Sequence, residues 1–353
     1  MPIIIRPHDA TDSGVDALRR KPTIFVKFLR RLLLLAVLAA AGAVAAAVWW
    51  LEQPLELAGS SVEVSIEPKT SPREVAQAWV QAGVRVNPLL LYEWFRWSGQ
   101  ARKIRAGSYA VGPGITPRSL LDKMVRGDEV LATVRLIEGW TFRQFRAELA
   151  RAPDLKQSTA SLNEAELMTA IGAPGVAAEG RFYPDTYAFS KGASDLAVLK
   201  RAYLAMQRQL DAAWAERAAD TPLRNVNEAL TLASIVEKET GAAKDRGLVA
   251  GVFSNRLRIG MPLQTDPTVI YGLGERFDGN LRKKDLLADT PYNTYTRGGL
   301  PPTPIAMPGR ASLLAAVKPD ATKALYFVAR GDGSSHFSDS LAEHNRAVNQ
   351  YQK

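Results

Sequence analysis

The sequence predicts an α+β protein with a single N-terminal transmembrane helix, a small α+β module and a larger mixed α+β domain. Three observations support this: an uncharged apolar stretch near the N-terminus, three segments that repeat one strand-turn-helix design, and a helix-rich region followed by a glycine- and proline-rich stretch. At 353 residues, 46% of them hydrophobic and 23% charged, the chain is long enough for two ordinary domains.

The first element is the apolar segment from Leu32 to Leu51, which contains no charged residue. As a helix, a segment of this length spans about 30 Å, the thickness of a bilayer's hydrocarbon core. A buried helix of a soluble protein would carry polar interruptions or caps, and this segment has none. Trp49 and Trp50 at its end are typical of a membrane interface. We therefore predict a transmembrane helix over residues 32–51.

Residues 1–31 precede this helix and carry seven basic against three acidic side chains, a net charge of +4. By the positive-inside rule this segment stays in the cytoplasm, and the chain from about residue 52 onward is exported. A cleaved signal peptide is the alternative, because small residues occupy positions 42–47, but the apolar run is longer than a signal peptide needs.

Composition excludes several kinds of site. The chain has no cysteine, so disulfides, a thiolate nucleophile and a zinc–thiolate site are ruled out. Of the net charge of +9, the exported part carries +5, scattered in short runs such as residues 282–284. Nucleic acid is therefore not an expected partner, whereas an anionic wall polymer or lipid headgroups remain compatible with this charge.

Three segments each combine an extended stretch, a short turn and a helix. They are SIEPKTSPREVAQAWV from Ser65, AVGPGITPRSLLDKMV from Ala110 and RLIEGWTFRQFRAELA from Arg135. Ser71, Thr116 and Thr141 are predicted to cap the three helices. We assign residues 58–131 to a compact module that serves binding or spacing, and residues 132–353 to the larger domain.

The stretch from Gly260 to Gly309 is rich in turn-forming glycine and proline. Long segments of this kind usually wrap a functional site. A disordered linker is the alternative, but the tyrosines and branched residues of this stretch exceed what linkers contain.

The segment 228–240, EALTLASIVEKET, predicts a helix with one misplaced carboxylate. With Leu232 at 0° and about 100° per residue, Val236 falls near 40° and Glu239 near 340°, so Glu239 lies on the apolar face. Glu237 and Lys238 fall outside it. A carboxyl among apolar neighbours has a raised pKa, as a general acid requires. The alternative is that Glu239 sits at an opening helix end or pairs with an arginine.

Other candidate chemistry is weaker. His336 and His344 are eight residues apart, and no third metal ligand stands at a familiar spacing. We interpret them as residues that orient loops or contact substrate. Gly331-Asp332-Gly333 predicts a hairpin turn between two strands.

Seven ordered motifs extend over nearly all of the chain after the apolar helix. They are AGSYAV (106–111), IEGWTF (137–142), EGRFYPDTYAF (179–189), SIVEKET (234–240), NRLRIGMPLQTDPTVIYG (255–272), YNTYTRGGLPPTPIAMPG (292–309) and YFVARGDGSSHFSDSLAEHN (326–345). Through them the chain resembles the YceG-like (MltG) family of endolytic murein transglycosylases. Residues 1–31 do not share this likeness.

The resemblance implies a single-pass enzyme of the bacterial inner membrane, with a LysM-like module and a catalytic domain in the periplasm. The implied reaction cleaves the β-1,4 bond between N-acetylmuramic acid and N-acetylglucosamine within nascent peptidoglycan strands. It leaves 1,6-anhydro ends without using water, and so helps to terminate glycan polymerisation. The resemblance implies no cofactor. Its implied partners are glycan strands and, beside them, peptidoglycan synthases or the elongation and division machinery.

The resemblance also implies site residues. Glu239, which precedes Thr240, aligns with the family's catalytic glutamate, the residue that the helical pattern selects independently. Asp266 would stabilise an oxocarbenium-like charge, although Asp266-Pro267 could equally form a turn and Tyr295 a core contact. The polar residues expected to line the groove are Gln264, Thr265, Asp266, Asn293, Thr294 and Tyr295.

Two other functions compete with this hypothesis. The first is a non-catalytic, peptidoglycan-binding envelope scaffold in which Glu239 is structural. The second is a pyridoxal-phosphate lyase, because relatives of the family have been labelled aminodeoxychorismate lyases. An exported chain with no lysine in a recognisable cofactor context fits that label poorly.

Overall fold

The structure, a computed structural model, describes residues 22–240 and 242–352. Within this range the chain forms two compact units, one ending at Val130 and one beginning at Leu131. Most of the predicted cytoplasmic segment, residues 1–21, lies outside the described residues.

The first helix, α1 (Pro22–Leu51), contains the predicted apolar segment. Its stretch Val26–Leu51 has a mean hydropathy of 2.5, and its residues from Val26 to Trp49 are exposed. By length and composition α1 is able to cross a bilayer. It begins ten residues earlier than the predicted span.

The rest of the first unit is a small α+β module whose elements alternate around one core. They are β1 (Glu56–Leu57), β2 (Val62–Ile66), α2 (Pro72–Ala82), β3 (Val84–Arg85), α3 (Pro88–Trp97), β4 (Gly107–Val111) and α4 (Pro117–Arg126). Strand β1 pairs with β3, and β2 with β4, all antiparallel. Trp79, Phe95, Tyr109 and Met124 are fully buried between the strands and helices.

The predicted helix starts are confirmed. Ser71 accepts a hydrogen bond from the Glu74 amide, and the Glu74 carboxylate accepts one from the Ser71 amide. Thr116 and Thr141 form equivalent capping boxes with the residues three positions later. These reciprocal bonds satisfy amide donors that a helix start leaves without partners, so the starts are encoded locally.

The second unit is helix-rich, with two separate strand pairs. Its elements are β5 (Leu131–Arg135), α5 (Phe142–Arg151), α6 (Glu164–Ile171), β6 (Thr186–Ser190), α7 (Asp195–Ala215), α8 (Val226–Glu239), α9 (Arg246–Arg258), α10 (Asp266–Leu273), α11 (Lys283–Leu287), α12 (Arg310–Val317), β7 (Tyr326–Ala329), β8 (Ser335–Ser338) and α13 (Leu341–Tyr351). Strand β5 pairs with β6, and the predicted hairpin turn at 331–333 joins β7 to β8.

Helix α8 is the central element of this unit and packs against α7, α9 and α12. Every residue from Ala229 to Val236 is buried, including Thr231 and Ser234. The predicted apolar face is therefore only part of the buried surface, because neighbouring helices cover α8 on all sides along this length. The Thr231 hydroxyl donates a hydrogen bond to the Asn227 carbonyl, and the Ser234 hydroxyl donates one to the Thr231 carbonyl.

The glycine- and proline-rich stretch, 260–309, wraps the C-terminal half of α8. The Ser234 hydroxyl accepts a 3.0 Å hydrogen bond from the Ile305 amide, and the Glu237 carboxylate accepts one of 2.9 Å from the Gly309 amide. The Met307 amide donates to the Trp140 carbonyl. The stretch is therefore ordered around α8 and is not a linker.

Candidate active site

Glu239 is the last residue of α8, where the helix leaves the core. The Asn225 side chain caps the start of α8 by accepting from the amides of Asn227 and Glu228. At the other end, the Thr240 hydroxyl donates 2.6 Å to the Val236 carbonyl and ends the helix. These bonds at the two ends of α8 fix its length and place the Glu239 carboxyl, half-buried, at the edge of the core.

A buried hydroxyl network holds Glu239. The Thr265 hydroxyl donates a hydrogen bond to Oε1 of Glu239. Thr265 is the residue that precedes α10, yet its side chain makes no capping bond to that helix. A hydroxyl at this position normally satisfies the helix amides. Here it is directed to the glutamate instead.

Thr294 fixes the position of Thr265. Its hydroxyl accepts from the Thr265 amide at 3.1 Å and lies 2.9 Å from the Thr268 hydroxyl, and its carbonyl accepts from the Gln264 amide at 3.0 Å. Thr265, Thr268 and Thr294 are all buried. Two segments distant in sequence, 264–268 and 293–295, are therefore locked together beneath Glu239.

Asp266 and Tyr295 form the exposed side of the same cluster. The Tyr295 hydroxyl donates a 2.6 Å hydrogen bond to Oδ1 of Asp266. The Tyr295 amide donates to Oδ1 of the buried Asn293. The Asn293 side-chain amide in turn donates to the carbonyls of Asp285, Leu286 and Ala288. Asn293 thus orders the loop that presents Tyr295.

The surroundings of Glu239 raise the pKa of its carboxyl. Burial raises the pKa of its carboxyl, the hydrogen bond from Thr265 lowers it, and the negative charge of Asp266 raises it further, with a net upward shift. Burial and the bond to Asp266 raise the pKa of Tyr295, which therefore remains a hydroxyl donor. The site combines a carboxyl whose pKa is raised with a second acidic side chain, Asp266.

Gln264 has a left-handed backbone with φ of 49°. Glutamine rarely adopts this conformation, and such strain concentrates at functional sites. The bond from its amide to Thr294 holds the conformation, and its side chain is exposed.

A large groove opens beside this cluster, with a volume of about 1340 Å³. Lys238 and Pro267, the sequence neighbours of Glu239 and Asp266, are part of its wall. Its other lining residues include Phe142, Arg143, Glu179, Tyr271 and Tyr292. Carboxylate, guanidinium and aromatic groups together suit a ligand with both polar and apolar faces, such as a sugar chain.

Glu179 is a buried carboxyl in this groove that sequence reasoning did not single out. Its oxygens accept from the Phe142 amide at 3.0 and 3.2 Å and from the Tyr271 hydroxyl at 3.1 Å. Burial raises its pKa to about 7 although these donors oppose the shift. Glu179 lies in a loop without hydrophobic periodicity, so no helical pattern marked it. Its only signal was its place in the motif at 179–189.

Arg256 supports the loop ahead of Thr265. Its guanidinium donates 2.7 Å hydrogen bonds to the carbonyls of Leu263 and Leu325 and lies 5.2 Å from the Tyr326 ring. The His344 ring stacks on the ring of Tyr326, with 5.2 Å between the ring centroids. Burial and the charge of Arg256 lower the pKa of His344. His344 therefore packs on Tyr326, the residue that contacts Arg256, and not on the groove.

The six polar residues predicted with Glu239 lie in two segments, 264–266 and 293–295, that hydrogen bonds join, and Thr265 among them bonds to Glu239. They differ in exposure: Gln264, Asp266 and Tyr295 reach solvent, whereas Thr265, Asn293 and Thr294 are buried beneath them. Among the described residues, no group of three or more histidine and carboxylate side chains is arranged to hold a metal ion.

Known proteins of one family are similar to this chain in sequence and in structure. The sequence pattern of the YceG-like family matches residues 64–350. The endolytic murein transglycosylase of Bacillus subtilis is 30% identical over 309 residues, which cover 83% of this chain and 85% of that protein.

The endolytic murein transglycosylase of Streptococcus pneumoniae is 27% identical over 321 residues, covering 81% of this chain and 58% of that longer protein. In structure, the chain is similar to a yceG-like protein of Listeria monocytogenes, with a TM-score of 0.52 and 29% identity, over 81% of this chain and 98% of that one.

Proposed function

The chain belongs to the YceG-like family, and we propose that it is an endolytic lytic transglycosylase of peptidoglycan with Glu239 as its catalytic acid and base. The observation that carries this proposal is the Glu239 carboxyl, half-buried, held by Thr265 and placed beside Asp266. It lies within the region matched to relatives named endolytic murein transglycosylases.

In the first step Glu239 acts as general acid. Because Thr265 donates to Oε1, the proton of the acid stands on Oε2. Glu239 gives this proton to the oxygen of the β-1,4 bond as the bond to C1 of N-acetylmuramic acid breaks. N-acetylglucosamine leaves with a free 4-hydroxyl group.

In the second step Glu239 acts as general base. The C6 hydroxyl oxygen of the same N-acetylmuramic acid attacks C1, and its proton passes to the Glu239 carboxylate. The product carries a 1,6-anhydro ring, no water is consumed, and the protonated glutamate is restored. Hydrolytic glycosidases use two carboxyl groups because an external water or a covalent intermediate takes part. Here the sugar supplies its own nucleophile.

Asp266 is proposed to stabilise the positive charge that develops at C1. A negative charge close to the reacting carbon is worth most in a site shielded from water. The hydrogen bond from Tyr295 fixes the orientation of the Asp266 carboxylate. Gln264, the third exposed member of the cluster, is proposed to contact the N-acetyl groups. Asn293 and Thr294 hold these residues in place.

The cellular setting of this reaction follows from α1. We propose that α1 anchors the enzyme in the inner membrane with its N-terminus in the cytoplasm, and that the second unit works in the periplasm. The small α+β module, residues 58–131, is proposed to be LysM-like. In this position the enzyme would cut nascent strands beside the synthases that make them and so help to end polymerisation.

The test is to incubate the full-length protein in detergent with purified, uncross-linked glycan strands and to analyse the products by mass spectrometry. We expect fragments with anhydro ends, each lighter by one water than a hydrolysed fragment, and a fall in mean strand length before any disaccharide accumulates. Hydrolysed reducing ends would contradict the reaction. Strand binding without products would instead identify a scaffold.

A further inference from the structure

We propose that an exposed apolar face on α3 docks on the surface of the bilayer that α1 enters, with anionic lipid as its partner. This α3 face consists of Leu89, Leu90 and Trp97, whose exposed fractions are 57%, 54% and 78%. The inference rests on the membrane anchoring proposed above and is independent of the proposed catalysis.

The exposed apolar side chains of the α3 face lie on one side of the helix, with the partly buried Glu93 between Leu90 and Trp97. Leu90 and Trp97 are seven residues apart, which places them about two turns, or about 10 Å, apart on nearly the same side. Leu91 and Phe95 are fully buried in the module and fix the other side of α3. Large apolar side chains grouped on a surface usually mark a contact with a protein or a membrane.

The connection to α1 places the module at the membrane. Helix α1 ends at Leu51, and the Leu55 amide already donates a 2.7 Å hydrogen bond to the Ile115 carbonyl of the module. Four residues extend at most about 14 Å. If α1 spans the bilayer, the module therefore lies within the reach of these four residues from the bilayer surface.

Helix α3 and the residue that follows α1 contact the same part of the module, the start of α4. The Arg118 side chain, at the start of α4, pairs with Glu52 at 2.6 Å, directly after α1. The neighbouring Pro117 carbonyl accepts a 3.0 Å hydrogen bond from the Trp94 ring. Trp94 is three residues before Trp97 on α3, and so both helices contact the first residues of α4.

The charges around the face suit an anionic surface. Arg102 and Lys103 are exposed just beyond the end of α3. The carboxylate of Glu93 is next to Trp97, but it pairs with Arg96 at 3.0 Å and accepts from the Trp97 ring at 3.2 Å. Exposed tryptophan and leucine beside basic side chains are the composition that membrane interfaces favour.

The absence of cysteine permits a direct test. A polarity-sensitive fluorophore is attached to single cysteines in the full chain, at Leu90→Cys, Trp97→Cys and the control Gln81→Cys, an exposed position on α2. Each protein is placed in nanodiscs of phosphatidylglycerol and phosphatidylcholine containing spin-labelled lipid. We expect strong quenching at positions 90 and 97 and little at 81.

Equal quenching at all three positions, or at none, would overturn the proposal. A change at 90 and 97 on adding glycan strands, without quenching by lipid, would also overturn it and identify a sugar-binding face.

Because the label is itself apolar, a second measurement uses no label. Hydrogen exchange of α3 in the wild-type protein should be slower in these nanodiscs than in detergent, and the double variant Leu90→Glu, Trp97→Glu should lose that protection. Equal exchange in both settings would count against docking. Glu239→Gln should leave quenching and exchange unchanged, so failure of docking and failure of the proposed catalysis are separate results.

Discussion

At the scale of single residues, the chemistry depends on how the Glu239 carboxyl is surrounded. Two neighbours act on its pKa in opposite directions: the Thr265 hydroxyl lowers it by stabilising the carboxylate, and the charge of Asp266 raises it. A group that must first give and then accept a proton works best when neither form is too stable. Burial has the largest effect and also raises this pKa, and the bond from Thr265 opposes both upward effects.

Substitution of these two neighbours should move the pH dependence of the reaction in opposite directions. The acid is active when protonated, so the rate falls as the pH rises through the pKa of Glu239. Asp266→Asn removes a charge that raises this pKa, so the fall in rate on the alkaline side of the pH profile (the alkaline limb) should move to lower pH. Thr265→Val removes a donor that lowers it, and the limb should move to higher pH. The measurement is the rate of anhydro-end formation against pH.

Thr265→Val should also reduce the maximal rate, by up to about 100-fold, because the carboxyl loses the bond that orients it. Thr265→Ser keeps the hydroxyl and serves as the matched control. Shifts of both alkaline limbs in the same direction would show that these neighbours do not tune Glu239.

At the scale of elements, α10 joins the site to the groove. Thr265, the residue before its start, bonds to Glu239, and Tyr271 near its other end bonds to Glu179. Glu179 also accepts from the first amide of α5. A single buried carboxyl therefore ties two helices together at the wall of the groove.

Glu179 should make stability depend on pH. Its pKa is about 7 in the folded protein against an ordinary 4.5. The stabilisation from its protonated form is thus fully present below about pH 4.5 and is lost as the pH rises through about 7. The loss amounts to about 3 kcal/mol. Glu179→Gln stays neutral at every pH, so its melting temperature relative to wild type should rise between pH 5 and pH 8.

Thermal melts of the two proteins in the same detergent, at several pH values, make this comparison. Glu275→Gln, which removes an exposed carboxyl in the same groove, is the control for general charge effects. Melting curves of wild type and Glu179→Gln that differ by a constant amount across this range would contradict the account of Glu179.

Features that depend on residues close together in sequence could be predicted, such as helix caps. Features that depend on contacts between residues far apart in sequence could not. Ser71, Thr116 and Thr141 were identifiable as caps because their bonding partners lie three residues away. Glu239 was identifiable because a helical repeat relates it to its apolar neighbours. Glu179 was not, since its donors at positions 142 and 271 are far away in sequence. Packing by four other helices, α7, α9, α10 and α12, also made α8 more buried than its own pattern indicated.

At the scale of the whole molecule, the long apolar helix and the candidate site fit one proposed function. Helix α1 is long and apolar enough to cross a membrane, and the second unit holds an acid, its tuning neighbours and a large groove. The match to the YceG-like family extends over both units, from residue 64 to residue 350. A membrane-tethered glycan-cutting enzyme needs each of these parts.

The most direct test of the central claim compares Glu239→Gln with Glu237→Gln. Glu237 is two residues away on α8 and accepts the Gly309 amide, a bond that a glutamine oxygen can also make. Removal of a general acid and base usually lowers a rate by about 10² to 10⁴. Mass spectrometry of digested glycan strands should find anhydro ends with wild type and Glu237→Gln but essentially none with Glu239→Gln. Anhydro ends formed by Glu239→Gln at the wild-type rate would contradict the assignment.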